Sequence, residues 1–163
     1  MTDDLPRHRP NVGVVLFHAD GRVWLGRRAG TPPPWNWQFP QGGVDEGEEL
    51  LEAARRELYE ETGVRSVEYL AETDGWIAYD FPEGYRGSKA ARGWLGQKQR
   101  WFAFRFTGRD AEIDLTAHGE QEFEDWRWAR LDEAPELIVP FKRAAYDQVC
   151  VAFAAFVGPA DQA

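Results

Sequence analysis

The chain has 163 residues, 43% of them hydrophobic and 29% charged. That usage excludes disordered, collagen-like and coiled-coil classes and fits a single globular domain over residues 1–163, long enough to bury about two thirds of its surface without a metal or disulfide to hold the core. The formal charge of −9, from 28 acids and 19 bases, speaks against a general nucleic-acid surface, so no DNA partner is expected. With one cysteine, Cys150, no apolar stretch near about 18 residues, and a start at Met1-Thr2-Asp3-Asp4 without signal character, a cytoplasmic chain with no membrane partner is expected.

Asn11 to Phe17 is a nearly continuous apolar run, and Arg22 to Leu25 follows the turn-forming pair Asp20-Gly21, so the domain is expected to open on a hairpin. Gly30-Thr31-Pro32-Pro33-Pro34 must be a loop, because three prolines lack ladder donors. Leu50, Leu51, Ala54 and Leu58 recur at helical spacing and Gly63 stands at a helix end, which predicts an amphipathic helix over Glu48 to Thr62. Val67 to Glu72, Gly75 to Tyr79, Gln99 to Phe106 and Phe123 to Trp128 read as strands. Gly84 to Gly96 reads as a loop near whatever is bound. Phe141, Ala145, Val149, Ala152, Phe153 and Phe156 mark one apolar face of a closing helix. There is no internal repeat or linker, and the order of elements predicts a mixed sheet with helices packed on its faces.

The charge is unevenly placed. Asp45 to Glu61 holds eight acids against Arg55 and Arg56, so −6 of the −9 sits there. Outside it the bases come in pairs, Arg7 with Arg9, Arg27 with Arg28, Lys98 with Arg100, and Lys142 with Arg143. An acidic island among basic pairs suits a divalent cation with phosphate, although a solvated helix face with ordinary surface bases accounts for the same pattern. Within the island Glu57, Glu60 and Glu61 lie at i, i+3 and i+4 and share about 100° of one helical face. Like charges so spaced, near a helix C-terminus, destabilise a bare helix by a few tenths of a kcal/mol per pair. A hard cation with oxygen ligands would offset that cost, whereas three glutamates on a solvated surface would simply bear it.

A longer pattern surrounds them: Gly42, five residues, Glu48, seven residues, then Arg56-Glu57-Leu58, one residue, Glu60-Glu61, one residue, Gly63-Val64. Residues 42–64 resemble the complete signature box of the Nudix hydrolases, and nine specified positions seldom coincide by accident. The resemblance implies an α/β/α sandwich that hydrolyses phosphoanhydrides of nucleoside diphosphate derivatives with Mg²⁺ or Mn²⁺. Outside the box, Arg9-Pro10-Asn11-Val12-Gly13, Trp37-Gln38-Phe39-Pro40-Gln41-Gly42-Gly43, Gly96-Gln97-Lys98-Gln99-Arg100-Trp101-Phe102 and Pro140-Phe141-Lys142-Arg143 are similar to the bacterial RNA pyrophosphohydrolases, also known as dinucleoside polyphosphate hydrolases. That similarity, spanning roughly Arg9 to Phe156, implies removal of pyrophosphate from the 5′-triphosphate end of RNA and cleavage of diadenosine tetra- and pentaphosphate.

Carried over, the family pattern makes Glu57, Glu60, Glu61, Glu122 and the Gly42 carbonyl the metal ligands, with Arg56 orienting a box carboxylate. Glu60 is the expected general base, with Glu122 or another box carboxylate as the alternative. It puts Arg28, Tyr79, Gln97 and Lys98 on the polyphosphate. Arg9 and Phe141 would sandwich a base, and Lys142 would meet a phosphate. The chain departs from the pattern at the Pro32-Pro33-Pro34 insert and at Pro140. Trp35, Trp94 and Trp101 could be stacking platforms or core. His18, His118 and Cys150 match neither a zinc site nor a nucleophile triad. Two rival readings stand beside this one: an enzyme confined to small nucleotides, and a non-catalytic nucleotide-binding module, which the intact box argues against.

Overall fold

In the computed structural model, residues 5–85 and 93–158 are described. The centre of the sheet is β1 (His8–Phe17) beside β7 (Gly96–Phe106). The two pair in parallel, from His8 opposite Gly96 to Phe17 opposite Arg105. β2 (Val23–Arg28) runs antiparallel to β1 and carries β3 (Trp37–Gln38) and β8 (Phe123–Ala129). β4 (Gln41–Gly43) pairs with β1, while β5 (Val67–Glu72) and β6 (Ile77–Asp80) both pair with β7. The result is the expected mixed sheet.

Both faces of that sheet are covered. Val12, Val14 and Leu16 of β1 join Phe102, Phe104 and Phe106 of β7 in one core with Ala53, Ala54 and Leu58 of α1 (Leu50–Thr62). The alternate residues Val15, Phe17, Trp101 and Ala103 form a second core with α2 (Ala134–Leu137) and with Ala145, Tyr146 and Val149 of α3 (Arg143–Ala152). Two covered faces explain why Asn11 to Phe17 is apolar without alternation: each position meets a core, whichever way it points. The α/β/α sandwich that the resemblance implied is therefore the observed architecture.

The hairpin turns where Asp20-Gly21 predicts, with Gly21 at φ 95° and the His18 N–H donating to the Arg22 carbonyl at 2.7 Å. Several boundaries move. The helix expected from Glu48 begins at Leu50, because Glu48 still belongs to the turn in which its N–H donates to the Asp45 carbonyl at 3.0 Å. The strand expected at Gly75–Tyr79 begins at Ile77, because Gly75 sits in a turn whose carbonyl accepts from the Thr73 hydroxyl at 3.1 Å. The strand expected from Gln99 begins at Gly96, since β1 and β6 flank it from that point; residues 86–92 of the expected loop lie outside the described residues. The closing helix is divided: Pro140–Lys142 is a 3-10 turn, α3 ends at Ala152, and a second 3-10 turn spans Ala154–Phe156. Phe141 thus precedes the helix, and Ala152 faces solvent although its spacing assigned it to the apolar face. Trp101 is fully buried, whereas Trp35 is exposed.

Candidate active site

α1 presents the carboxylates. It begins after a turn at Asp45–Glu48 and is closed by Gly63, whose φ of 76° is left-handed and whose N–H donates to the Tyr59 carbonyl at 2.8 Å. Burial of Ala53, Ala54 and Leu58 against the sheet fixes the rotation of the helix. Glu57, Glu60 and Glu61 are thereby turned toward β4 and the segment before β8. Glu61 is buried and accepts the Gln41 N–H at 2.9 Å. Its desolvation, then the nearby charges of Glu122 and Glu57, hold its carboxyl well above the usual range. Glu57 rests on Gly42, where a Cβ would overlap its carboxylate.

Arg56 ties this group together. It donates to both oxygens of Glu48 at 2.8 and 2.9 Å. It also donates to Glu57 at 2.8 Å, to Glu60 at 3.2 Å and to the Gly43 carbonyl at 2.9 Å. These contacts set Arg56 among the box carboxylates, with Glu48 as its main partner. Those hydrogen bonds hold the Glu48 carboxyl at about 2.

Next to the carboxylates lies a cleft of about 160 Å³ lined by Arg28, Tyr79, Gln97, Glu122, Phe141 and Lys142, among others. Six of the residues expected at the site therefore meet at one place, although they come from β2, β6, β7, the segment before β8 and the turn before α3. The buried Tyr79 hydroxyl donates to the Gln97 side-chain carbonyl, and burial pushes the phenol far up. The Lys142 ammonium lies 5.4 Å from the Tyr79 ring centre. Arg9 sits opposite Gln97 in the parallel ladder, its guanidinium packed on Gly43.

Lys98 stands apart. It has the strand parity of Phe102 and Phe104, opposite to that of Gln97, and its ammonium lies 4.9 Å from the Trp76 ring centre. It is not among the residues lining the cleft. Gln38, Gln41, Phe81 and Tyr85 do line it and were not singled out by sequence. The Phe81 and Tyr85 pair could have been found from two aromatics four residues apart across a Pro-Glu-Gly turn. A larger and more apolar hollow of about 390 Å³ opens beside the β1–β2 turn, against Leu131 and Cys150; it gathers none of the expected residues, and converging polar groups, not size, mark a site for a charged ligand. Burial raises the Cys150 thiol to about 11, as expected for an inert side chain.

The expected ligands, the carboxylates of Glu57, Glu60, Glu61 and Glu122 and the Gly42 carbonyl, are oxygen groups, the chemistry a hard divalent cation takes, and His118 stands beside them with its Nε2 3.9 Å from Glu60. Glu61 is buried, with the charges of Glu122, Glu57 and Glu60 acting on it. Among the described residues no three acidic, His or Cys side chains are already drawn to metal-ligating separations. Also among them, no helix is long and apolar enough to cross a membrane.

Comparison with known proteins finds relatives along nearly the whole chain. The RNA pyrophosphohydrolase of Caulobacter vibrioides is 68% identical over 154 residues, covering 94% of this chain and 90% of that protein. The RNA pyrophosphohydrolase of Bradyrhizobium sp. (strain ORS 278) is 50% identical, covering 96% and 97%. Among solved structures, the E. coli dihydroneopterin triphosphate pyrophosphohydrolase superposes with a TM-score of 0.67 at 23% identity, over 88% of this chain and 95% of that one, which speaks to the fold alone. The NUDIX domain model matches residues 7–149, and with such relatives along nearly its whole length the chain belongs to the Nudix family of hydrolases.

Proposed function

We propose that this Nudix hydrolase is a cytoplasmic RNA pyrophosphohydrolase, which removes pyrophosphate from 5′-triphosphorylated RNA and also cleaves dinucleoside polyphosphates such as diadenosine tetraphosphate. The observation that carries this reading is the junction of a buried carboxylate, Glu61, with a cleft that combines cationic and aromatic side chains, Arg28, Lys142, Tyr79 and Phe141. A polyphosphate needs the first set and a nucleobase the second. The names of the similar proteins from Caulobacter and Bradyrhizobium favour RNA as the main substrate.

In this reading Glu57, Glu60, Glu61, Glu122 and the Gly42 carbonyl hold Mg²⁺ or Mn²⁺. When bound, the ion neutralises phosphate charge and lowers the pKa of water. Arg28 and Lys142 bind the polyphosphate and stabilise the charge that builds on the departing pyrophosphate. Glu60, at the outer end of the carboxylate row, accepts the proton of the attacking water. A phosphorus–oxygen bond to that water forms as the bridge between the α- and β-phosphates breaks, leaving a monophosphate end. Arg56 keeps Glu57 and Glu60 in place. Arg9 and Phe141 flank the base, and Lys98 acts from the opposite face of β7, where its charge supports the phosphate field without lining the cleft.

The test is product analysis. The protein is incubated with Mg²⁺ and either triphosphorylated RNA or diadenosine tetraphosphate, with Glu60→Gln as the paired control. Release of pyrophosphate and monophosphorylated RNA by the wild type, lost in the variant, supports the reading. Cleavage of diadenosine tetraphosphate alone leaves the small-nucleotide enzyme. Absence of cleavage of either leaves a binding module.

A further inference from the structure

Residues 81–85 make a tight turn on the rim of the cleft. The Tyr85 N–H donates to the Pro82 carbonyl at 3.0 Å, and Gly84 between them has φ 79°, a left-handed conformation that favours glycine. The turn folds two aromatic side chains against each other: the Phe81 and Tyr85 rings are parallel within 20°, with centres 4.9 Å apart. Phe141 then meets Tyr85 nearly edge-on, at 5.5 Å and 62°, and meets Tyr79 in the same way at 5.7 Å and 63°. Four rings from three segments therefore wall one side of the cleft, with the Lys142 ammonium against them.

Tyr85 remains 38% exposed despite these contacts. Phe81 is stacked on its ring, and Tyr85 is among the residues that line the cleft. Stacking on an aromatic ring is worth roughly 1–3 kcal/mol per base and tolerates any base identity. A ring already held on two aromatic neighbours loses little entropy on binding. The Tyr85 and Phe141 planes stand 62° apart, so one flat base cannot lie on both.

We infer that Tyr85 is a specificity-determining residue which stacks a second nucleobase of the substrate, beside the base at Phe141, so that the cleft selects substrates whose two bases are splayed apart. The inference rests on the reading of the cleft as a nucleotide polyphosphate site. A single-stranded RNA end meets the requirement with its first two nucleotides, and a dinucleoside polyphosphate meets it with its two nucleosides. A base-paired end does not, because its neighbouring bases stay stacked. The shared chemistry is a pair of unstacked bases joined through phosphate.

The experiment measures kcat and KM on triphosphorylated single-stranded RNA and on diadenosine tetraphosphate for wild type, Tyr85→Ala, Tyr85→Leu and Tyr85→Phe. Losing the ring should raise KM roughly tenfold with little change in kcat. Leu should behave as Ala does while keeping apolar packing on Phe81, and Phe should behave as wild type. RNAs abasic at nucleotide one or nucleotide two complete the cycle: one of them should raise the wild-type KM by the same factor and leave that of Tyr85→Ala where it was. An effect on RNA alone assigns the second base to the next nucleotide, and one on the dinucleoside alone assigns it across the phosphate bridge. Unchanged KM on both substrates, or fully additive losses with both abasic RNAs, overturns the inference while leaving the function intact. A wild-type protein that turns over neither substrate overturns the functional reading itself, and this inference with it.

Discussion

The carboxylate of Glu57 lies against the bare Cα of Gly42, so that the strand β4 and the helix α1 touch through a carboxylate and a missing side chain. No other residue type leaves that space. A methyl group at position 42 has to displace Glu57, and it also disturbs the Arg56 bridge that reaches from Glu57 to Glu60 and Gly43. Gly42→Ala should therefore lower kcat on triphosphorylated RNA about 100-fold, the cost of misplacing a positioned group by about 1 Å. Its far-UV circular dichroism should match that of the wild type. A variant with near-normal turnover would mean that Glu57 does not need this position.

Glu48 and Arg56 give the fold a dependence on acid. The Glu48 carboxyl stands at about 2 instead of 4.5, chiefly through the Arg56 hydrogen bonds and against the opposing effect of burial. Because the folded-state value is the lower one, the pair stabilises the protein above pH 4.5, and that contribution fades as the pH drops toward 2. With both side chains partly wet, Arg56→Gln should cost about 2 kcal/mol at pH 7 and less than half of that near pH 3. Urea titrations at the two pH values decide the point; an equal loss at both would show that the Glu48 pairing is not what Arg56 contributes.

Glu61 works in the opposite direction. Its carboxyl is raised by burial and by Glu122 and Glu57, so the charged form weakens the metal-free fold as the pH climbs above the ordinary carboxylate range. Glu61→Gln keeps an oxygen for the Gln41 N–H while removing the charge. In EDTA at pH 8 it should melt about 3 °C above wild type. Millimolar Mg²⁺ should raise the wild-type melting temperature and raise that of the variant much less. If the ion stabilises both proteins equally, Glu61 is not a ligand.

How much of this was open to sequence reasoning follows from where each signal lives. Helix α1 and its carboxylate face are written locally, at periods of three and four, and so is the hairpin at Asp20-Gly21. The clustering of Arg28, Tyr79, Gln97, Phe141 and Lys142 is not local: it depends on β1 and β7 pairing in parallel, and only the likeness to a family joined these positions in advance. Lys98 shows the limit. As a neighbour of Gln97 it looks equivalent in a motif, but the two-residue period of a strand sends adjacent side chains to opposite faces. β4 was missed because three residues with two glycines carry no strand propensity; pairing with β1 makes the strand. Phe141 fits the apolar spacing of α3 but lies before it, since Pro140 opens a 3-10 turn in which Phe141 is free to meet Tyr79.

The last turn of α1 depends on one backbone conformation. Gly63 closes the helix at φ 76°, two residues after Glu61 and three after Glu60, and a Cβ there would stand 3.2 Å from the Asp114 backbone N and O. An alanine pays the left-handed strain of about 1–2 kcal/mol and meets that contact as well. Relief requires opening the bond from the Gly63 N–H to Tyr59, which frays the turn bearing Glu60 and Glu61. Gly63→Ala should therefore reduce stability by about 2 kcal/mol and slow turnover at temperatures well below its melting point. Gly63→Asn, which tolerates the left-handed region better, should lose less of both. Amide hydrogen exchange in the last turn of α1 provides the check: faster exchange there in Gly63→Ala than in Gly63→Asn, in step with the fall in kcat, is the expected result. A loss of stability without faster exchange or slower turnover would detach the cap from the site.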